Sequence, residues 1–345
     1  MLQHGGVNAI DFISRLGVSL LPVLLFLLLL IYMDGYRLVS PRRVIVAVAI
    51  GALAAVAALG VNGAIVDSGG RSLHGYSRYG APLVEELLKA LPVALLVASR
   101  RTGFLVDAAI GGFAVGAGFA IVENTWYAGE LANAGVGVWV IRGFGTAVMH
   151  GGTTCVFAIV SKGLFDRIGK CVAFVPGFVV AVLVHSLFNH FILPPGTETL
   201  IIYATLPPLV LFSFYRSDRA LRRWLRRGLD ADVQLLQMIG SGKLSSTPAG
   251  EYVRAIRNRF PSAIVLDMIC IIRLHTELGI SAKAMLMMRA AGFEPAPPPD
   301  TREKFDELRA LERSVGRAGR LALSPLLQRS TRDLWQFYML EKKVR

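Results

Sequence analysis

Cysteine is scarce in this chain of 345 residues, which has only Cys155, Cys171 and Cys270. The three lie far apart and form no CxxC pair, so the sequence predicts no disulfide framework. The chain also has no phosphate-binding glycine loop, no HExxH zinc motif and no internal repeat. These absences argue against a P-loop enzyme and against a protease of the HExxH type.

Apolar residues are abundant and long apolar runs recur along the first two thirds of the chain. Hydrophobic residues make up 54% of the sequence, and a helix needs about 20 apolar residues to cross a bilayer. Seven stretches meet this length: 14–33, 44–66, 81–99, 104–124, 142–160, 171–193 and 199–215. We therefore expect an all-α polytopic membrane protein, with about seven transmembrane helices in residues 1–215 and a helical cytosolic region after them.

The positions of arginine and lysine predict the orientation in the membrane, because basic loops stay in the cytoplasm. The loops after the first, third and fifth stretches are basic, and a dense cluster follows the seventh at Arg216–Arg227. The residues in those three loops are Arg37, Arg42, Arg43, Arg100, Arg101, Lys162, Arg167 and Lys170. The sequence thus predicts an extracytoplasmic N-terminus and a cytoplasmic C-terminus in the cell membrane.

Polar residues inside these stretches are the candidates for function. Glu85 and Glu86 are adjacent within an apolar run, and a charge near the bilayer centre costs about 3 kcal/mol or more, so such residues usually have a functional role. Lys89 shares a helix face with Glu85 and is the expected countercharge. Later stretches supply further polar residues, namely Glu123, His150, His185 and Asn189. The predicted orientation places all of these residues except Lys89 in the outer half of the membrane.

Two chemistries fit these residue types, and the spacing leaves both open. In the first, Glu85 activates a water with Glu86 as its partner, while His185 and Asn189 stabilise the oxyanion of a peptide being hydrolysed. In the second, Glu123, His150 and His185 hold a metal such as zinc. A proton-coupled carrier is the alternative to a protease, although a carrier needs its site near the midplane of the membrane.

Four ordered motifs between about residues 80 and 195 resemble those of the PrsW intramembrane proteases. They are Glu85-Glu86-x-x-Lys89, Phe119-x-x-x-Glu123-Asn124, Arg142 followed by His150, and His185-x-x-x-Asn189. The PrsW family is distantly related to the CAAX prenyl proteases and the CPBP/Abi group. The resemblance implies proteolysis of a membrane-anchored protein on its extracytoplasmic side, the substrate of PrsW itself being an anti-sigma factor in a signalling pathway. Lys89 and Glu123 depart from the wider CAAX pattern and are typical of the PrsW branch.

The last third of the chain is strongly basic. Residues 216–345 contain 24 lysines and arginines against 14 acidic residues, within a net charge of +13 for the whole chain. We expect a basic helical region at 216–293, a proline-rich linker at 294–300 and amphipathic helices at 301–345. Arg216–Arg227 is expected to bind anionic lipid headgroups, whereas no motif for nucleic-acid recognition accompanies the charge.

Overall fold

The computed structural model describes residues 9–69, 73–131, 133–246, 248–327 and 331–344, in which every regular element is helical. The first eight residues and Arg345, which belong to the predicted terminal regions, lie outside the described residues. The main helices are α1 (Ala9–Met33), α2 (Pro41–Gly69), α3 (Ala81–Ala98), α4 (Leu105–Glu130), α5 (Val148–Ile168), α6 (Val175–Asn189), α7 (Pro195–Gly240), α8 (Pro248–Ile256), α9 (Ser262–Ala290), α10 (Thr301–Ser314), α11 (Gly316–Leu323) and α12 (Thr331–Val344). Two π-helical segments, π1 (Tyr76–Gly80) and π2 (Ile141–Ala147), lead directly into α3 and α5. Short helical turns lie at Leu73–Gly75, Val136–Val140, Cys171–Phe174, Lys243–Ser246 and Arg257–Arg259.

Six helical segments among the described residues are long and apolar enough to cross a membrane. They are Ile10–Met33, Pro41–Ser68, Leu105–Glu130, Val136–Ile168, Cys171–Asn189 and Pro195–Gly240. Helix α3 has 18 residues, three of them charged, and is therefore less apolar than these six. It nevertheless packs against α2, α4, α5 and α6. The prediction of an all-α polytopic membrane protein with about seven membrane helices is confirmed.

Glycines allow the helices around the centre of this bundle to approach closely. A Cβ atom on Gly116 of α4 would lie 2.2 Å from the carbonyl oxygen of His150 in α5. On the other side of α4, a Cβ atom on Gly118 would lie 2.0 Å from the carbonyl oxygen of Val48 in α2. Small residues permit this kind of backbone contact between membrane helices. The contacts bring α2 and α5 against α4, so that polar side chains of all three can meet.

The contacts divide the chain into two units, Met1–Asp218 and Arg219–Arg345, with the boundary inside α7. The second unit has one hydrophobic core to which helices on both sides of the proline-rich segment contribute. Met268 and Leu278 of α9 are buried in that core together with Phe305 of α10 and Leu340 of α12. The predicted subdivision of the C-terminal region at residues 294–300 stays a prediction.

Candidate active site

Glu86 lies at the centre of a cluster of polar side chains inside the first unit. Its side chain is 2% exposed, and its Oε1 atom accepts three hydrogen bonds. The donors are Lys89 Nζ at 2.6 Å, His185 Nδ1 at 2.8 Å and Thr153 Oγ1 at 3.3 Å. A carboxylate cannot be buried cheaply without such partners, and here they come from α3 itself, from α5 and from α6. We call Glu85, Glu86, Lys89, Glu123, His150 and His185 the central cluster.

Lys89 is fully buried and joins two parts of the central cluster. Its ammonium lies 2.6 Å from Glu86 Oε1 and 2.9 Å from Nδ1 of His150. It also lies 4.6 Å from the centre of the Phe119 ring, within the range of a cation–π contact. The sequence predicted Lys89 as the countercharge of one of the two glutamates, on a helix face shared with Glu85. The direct ion pair is formed with Glu86, three residues away, whose carboxylate is buried in the bundle.

His150 lies between a cation and an anion. Lys89 donates to Nδ1, and Nε2 lies 2.8 Å from Oε2 of Glu123. An ammonium has no acceptor atom, so this network assigns the ring proton to Nε2, which donates to Glu123. Arg142 supports Glu123 from the other side, with Nη2 3.5 Å from its Oε1. Arg142 also donates from Nε to Oδ1 of Asn124 at 2.9 Å.

His185 lies between the two adjacent glutamates. Its Nδ1 donates to Glu86, and its Nε2 lies 3.7 Å from Oε2 of Glu85. The imidazole is 2% exposed, whereas the side chain of Glu85 is 13% exposed. Glu85 is therefore the more accessible of the two glutamates. The bond to Glu86 leaves Nε2 of a neutral His185 with its lone pair free on the side of Glu85.

One group of side chains in the described residues has the composition and spacing of a metal site. Glu85, His150 and His185 each offer one ligand atom, and these atoms all lie within 4.8 Å of one another. The sequence predicted Glu123 in place of Glu85. In the structure Glu123 is hydrogen-bonded to His150 and forms an ion pair with Arg142, while Glu85 faces Nε2 of His185.

The structure brings together five of the six predicted catalytic residues, namely Glu85, Glu86, Glu123, His150 and His185. The sixth, Asn189, lies on α6 one turn after His185, but its amide donates to the carbonyl oxygen of Ser77 at 3.0 Å. Ser186 donates to the next carbonyl oxygen, that of Arg78, at 2.6 Å. Both acceptors belong to π1, where the wide helical turn alters the usual backbone hydrogen bonding. Asn189 thus contacts the segment before α3.

Sequence reasoning missed three polar side chains at the site: Asn62, Tyr76 and Thr153. Asn62 of α2 donates to Oε1 of Glu85 at 3.2 Å, and Tyr76 donates to Asn62 at 2.8 Å. Thr153 could have been found, because it lies three residues after His150 on the same helix face. Asn62 and Tyr76 carry no comparable signal, since each reaches the site from a different element.

A polytopic helical membrane protein with buried glutamates and histidines at one point of its bundle has the construction expected of an intramembrane hydrolase. A family model described as "PrsW family intramembrane metalloprotease" matches residues 40–214, slightly more than half of the chain. The chain therefore belongs to the PrsW family and is a membrane-embedded peptidase. No curated protein and no solved structure matches it.

Proposed function

We propose that this peptidase cuts a membrane-anchored protein near its extracytoplasmic face, at a metal centre held by Glu85, His150 and His185. The observation that carries the proposal is the grouping of three ligand atoms, from α3, α5 and α6, within 4.8 Å of one another. Two histidines and one carboxylate are the donor set of several catalytic zinc sites. Zinc is accordingly the metal that we propose.

The environment of His185 fits a metal ligand. Glu86 accepts a hydrogen bond from Nδ1 of His185 at 2.8 Å, so the lone pair of the neutral ring is on Nε2. A carboxylate bonded to the distal nitrogen of a metal-binding histidine fixes the tautomer and the orientation of the ring. Glu86 is therefore a positioning residue in this proposal, and Lys89 and Thr153 hold its carboxylate in place.

His150 has to exchange one hydrogen bond to become the third ligand. Metal binding to a histidine requires a free lone pair, and with the ring proton on Nε2 that lone pair is on Nδ1, which accepts from Lys89 at 2.9 Å. A metal at Nδ1 would therefore replace the hydrogen bond from Lys89, while Glu123 keeps its hydrogen bond from Nε2 at 2.8 Å and Arg142 balances the charge of Glu123. We infer that Glu123 supports the centre through His150.

A bound zinc would polarise the peptide carbonyl and make water a better nucleophile. The chain itself supplies a partly exposed carboxylate, Glu85, and a buried cationic group, Lys89, behind the histidines. Glu85 and Glu123 are the more accessible side chains of the central cluster, since they are 13% and 17% exposed. We propose that the peptide enters from the side of these two carboxylates.

A second mechanism is supported by the hydrogen bonds of His150. Both of its ring nitrogens are already engaged, one by Lys89 and one by Glu123. In a metal-free reaction Glu85 would take the proton of the attacking water, as the sequence suggested. His185 would have to be an imidazolium in this mechanism, with Nδ1 bonded to Glu86 and the proton on Nε2 donated to the developing oxyanion. Metal content and sensitivity to chelators distinguish the two mechanisms.

The orientation and the partners of the chain are part of the proposal. The basic loops support an extracytoplasmic N-terminus and a cytoplasmic C-terminus. The resemblance to PrsW supports a single-span regulatory protein, such as an anti-sigma factor, as the substrate. The six arginines of Arg216–Arg227 are exposed on α7, which supports contact with anionic lipid headgroups.

Metal analysis of the purified chain tests the proposal directly. We expect about one zinc per wild-type chain, and loss of the metal together with activity on chelation. His185→Ala should lose the metal. His190→Ala is the matched control, because Nδ1 of His190 donates to the carbonyl oxygen of Ser186 on its own helix at 2.6 Å and His190 is not part of the central cluster. An active, metal-free preparation that resists chelators would refute the metal centre and support the glutamate mechanism.

A further inference from the structure

Glu85 is the last acceptor of a hydrogen-bonded network whose other members, Tyr76 and Asn62, lie outside the four sequence motifs. The hydroxyl of Tyr76 donates to Oδ1 of Asn62 at 2.8 Å, and Nδ2 of Asn62 donates to Oε1 of Glu85 at 3.2 Å. The three residues come from π1, α2 and α3. This network therefore joins Glu85, the accessible glutamate of the central cluster, to π1 and α2.

The donor and acceptor types allow only one direction of hydrogen bonding in this network, from Tyr76 through Asn62 to Glu85. An ionised carboxylate only accepts, so the amide of Asn62 must present its NH₂ group to Glu85. Its carbonyl oxygen then faces Tyr76, whose hydroxyl must donate. Oε1 of Glu85 is thereby occupied, and the other oxygen, Oε2, is the one that lies 3.7 Å from Nε2 of His185. The hydrogen bond from Asn62 to Oε1 therefore leaves Oε2 as the oxygen of Glu85 that faces His185.

The position of Tyr76, the first donor of this hydrogen-bonded network, is fixed by the shape of π1. Tyr76 is 8% exposed, and its ring lies over Gly80, where an added Cβ atom would come within 2.3 Å of the ring. Glycine at this position therefore makes room for the ring. Asn189 and Ser186 hold the carbonyl oxygens of Ser77 and Arg78 in the same segment. The tyrosine hydroxyl is thus held in place before any substrate or metal is bound.

We propose that Asn62 and Tyr76 are positioning residues that orient the carboxylate of Glu85 toward the metal. The inference rests on the proposed metal centre and adds to it the residues that decide how Glu85 binds. Asn62 acts directly on the carboxylate, and Tyr76 acts only through Asn62. The two substitutions should therefore not be additive, because residues in one network share a single effect.

Titration with Co²⁺ alone tests the proposal, using the full chain purified in detergent without a histidine tag. Asn62→Ala should weaken Co²⁺ binding by about 10- to 100-fold, as expected when the partner of a metal ligand is removed. Tyr76→Phe keeps the ring over Gly80 and should weaken binding by about 3- to 10-fold. The double variant should bind as Asn62→Ala does. The ligand-field absorption of bound Co²⁺ should change in Asn62→Ala, which a loss of fold stability alone would not produce.

Two controls separate this inference from the metal centre itself. Tyr79→Phe removes the hydroxyl of an exposed tyrosine in the same π-helical segment and should leave Co²⁺ binding unchanged. Glu85→Gln should abolish tight binding. Asn62→Ala with wild-type affinity beside a weakened Glu85→Gln would overturn the positioning role alone. A wild-type chain that binds no Co²⁺, or a Glu85→Gln variant that binds it normally, would overturn the metal centre and this inference with it.

Discussion

The ammonium of Lys89 lies 2.9 Å from Nδ1 of His150, and both side chains are buried. This contact assigns the ring proton of His150 to Nε2, where it is donated to Glu123. A cation on α3 thus sets the direction of a hydrogen bond between α4 and α5. Lys89 is also paired with Glu86 at 2.6 Å, so one residue links both histidines of the central cluster.

Replacing Lys89 should destabilise the protein through Glu86. Lys89→Met leaves a buried carboxylate without its cation, and breaking one side of a buried ion pair costs about 3–5 kcal/mol. We expect a clear fall in the thermal unfolding temperature of the detergent-purified chain. Adding Glu86→Gln should restore part of the stability. Lys170→Met, at an exposed lysine, is the control, and equal stability of the two single variants would contradict the assigned pair.

The close approach of α4 and α5 can be tested at one glycine. Gly116→Ala places a Cβ atom 2.2 Å from the carbonyl oxygen of His150, so the helices must separate. Overpacking of this kind costs about 1–3 kcal/mol, and displacement of His150 should reduce cleavage as well. Gly129→Ala near the end of the same helix has nothing within 4 Å of the added atom and should behave as wild type. Thermal unfolding and cleavage rates of both variants provide the comparison, and an unaffected Gly116→Ala would argue against the tight contact.

The size of the rate loss in Asn189→Ala shows whether Asn189 has a supporting or a catalytic role. The amide donates to the carbonyl of Ser77, and a single neutral hydrogen bond contributes about 0.5–1.5 kcal/mol. Asn189→Ala should therefore reduce the cleavage rate by less than about tenfold. Loss of an oxyanion donor would reduce kcat by about 100- to 1000-fold. A loss of that larger size at saturating substrate would contradict the supporting role and favour the oxyanion donor that the sequence suggested.

Much of the membrane bundle could be predicted from the sequence because its determinants are local. Apolar length predicted the membrane helices, and charges within apolar runs pointed to Glu85, Glu86 and Glu123. Shared depth in the membrane also predicted that His150 and His185 would meet these glutamates, as the structure shows. These inferences needed only the length of each helix and the direction in which it crosses.

The finer contacts depend on side-chain direction, which helical spacing does not determine. Glu85 and Glu86 are adjacent, yet only Glu86 forms the direct ion pair with Lys89. Asn189 follows His185 by one turn, but it bonds to a carbonyl in π1. The two π-helical segments have no evident sequence signature, and π1 carries Tyr76, which reaches Asn62. These are the features that sequence reasoning missed.

The orientation in the membrane is testable by labelling single cysteines. Cys155, Cys171 and Cys270 would first be replaced by alanine, and Glu130→Cys and Ser241→Cys would then be introduced separately. Both positions are exposed. A membrane-impermeant thiol reagent added to intact cells should label Glu130→Cys and reach Ser241→Cys only after the membrane is opened. Labelling of both from the same side would contradict the proposed orientation.

Cleavage by wild type and by Glu85→Gln, at equal membrane abundance, tests the central claim most directly. Glutamine keeps the shape of the side chain and can still bond to Asn62, but it is a poor metal ligand and cannot accept a proton. New N-termini in single-span membrane proteins, identified by mass spectrometry, should appear in cells that express the wild-type chain. We predict that the variant lowers their formation by about 100- to 10,000-fold. Wild-type levels of the same termini in Glu85→Gln would contradict the assignment of the site.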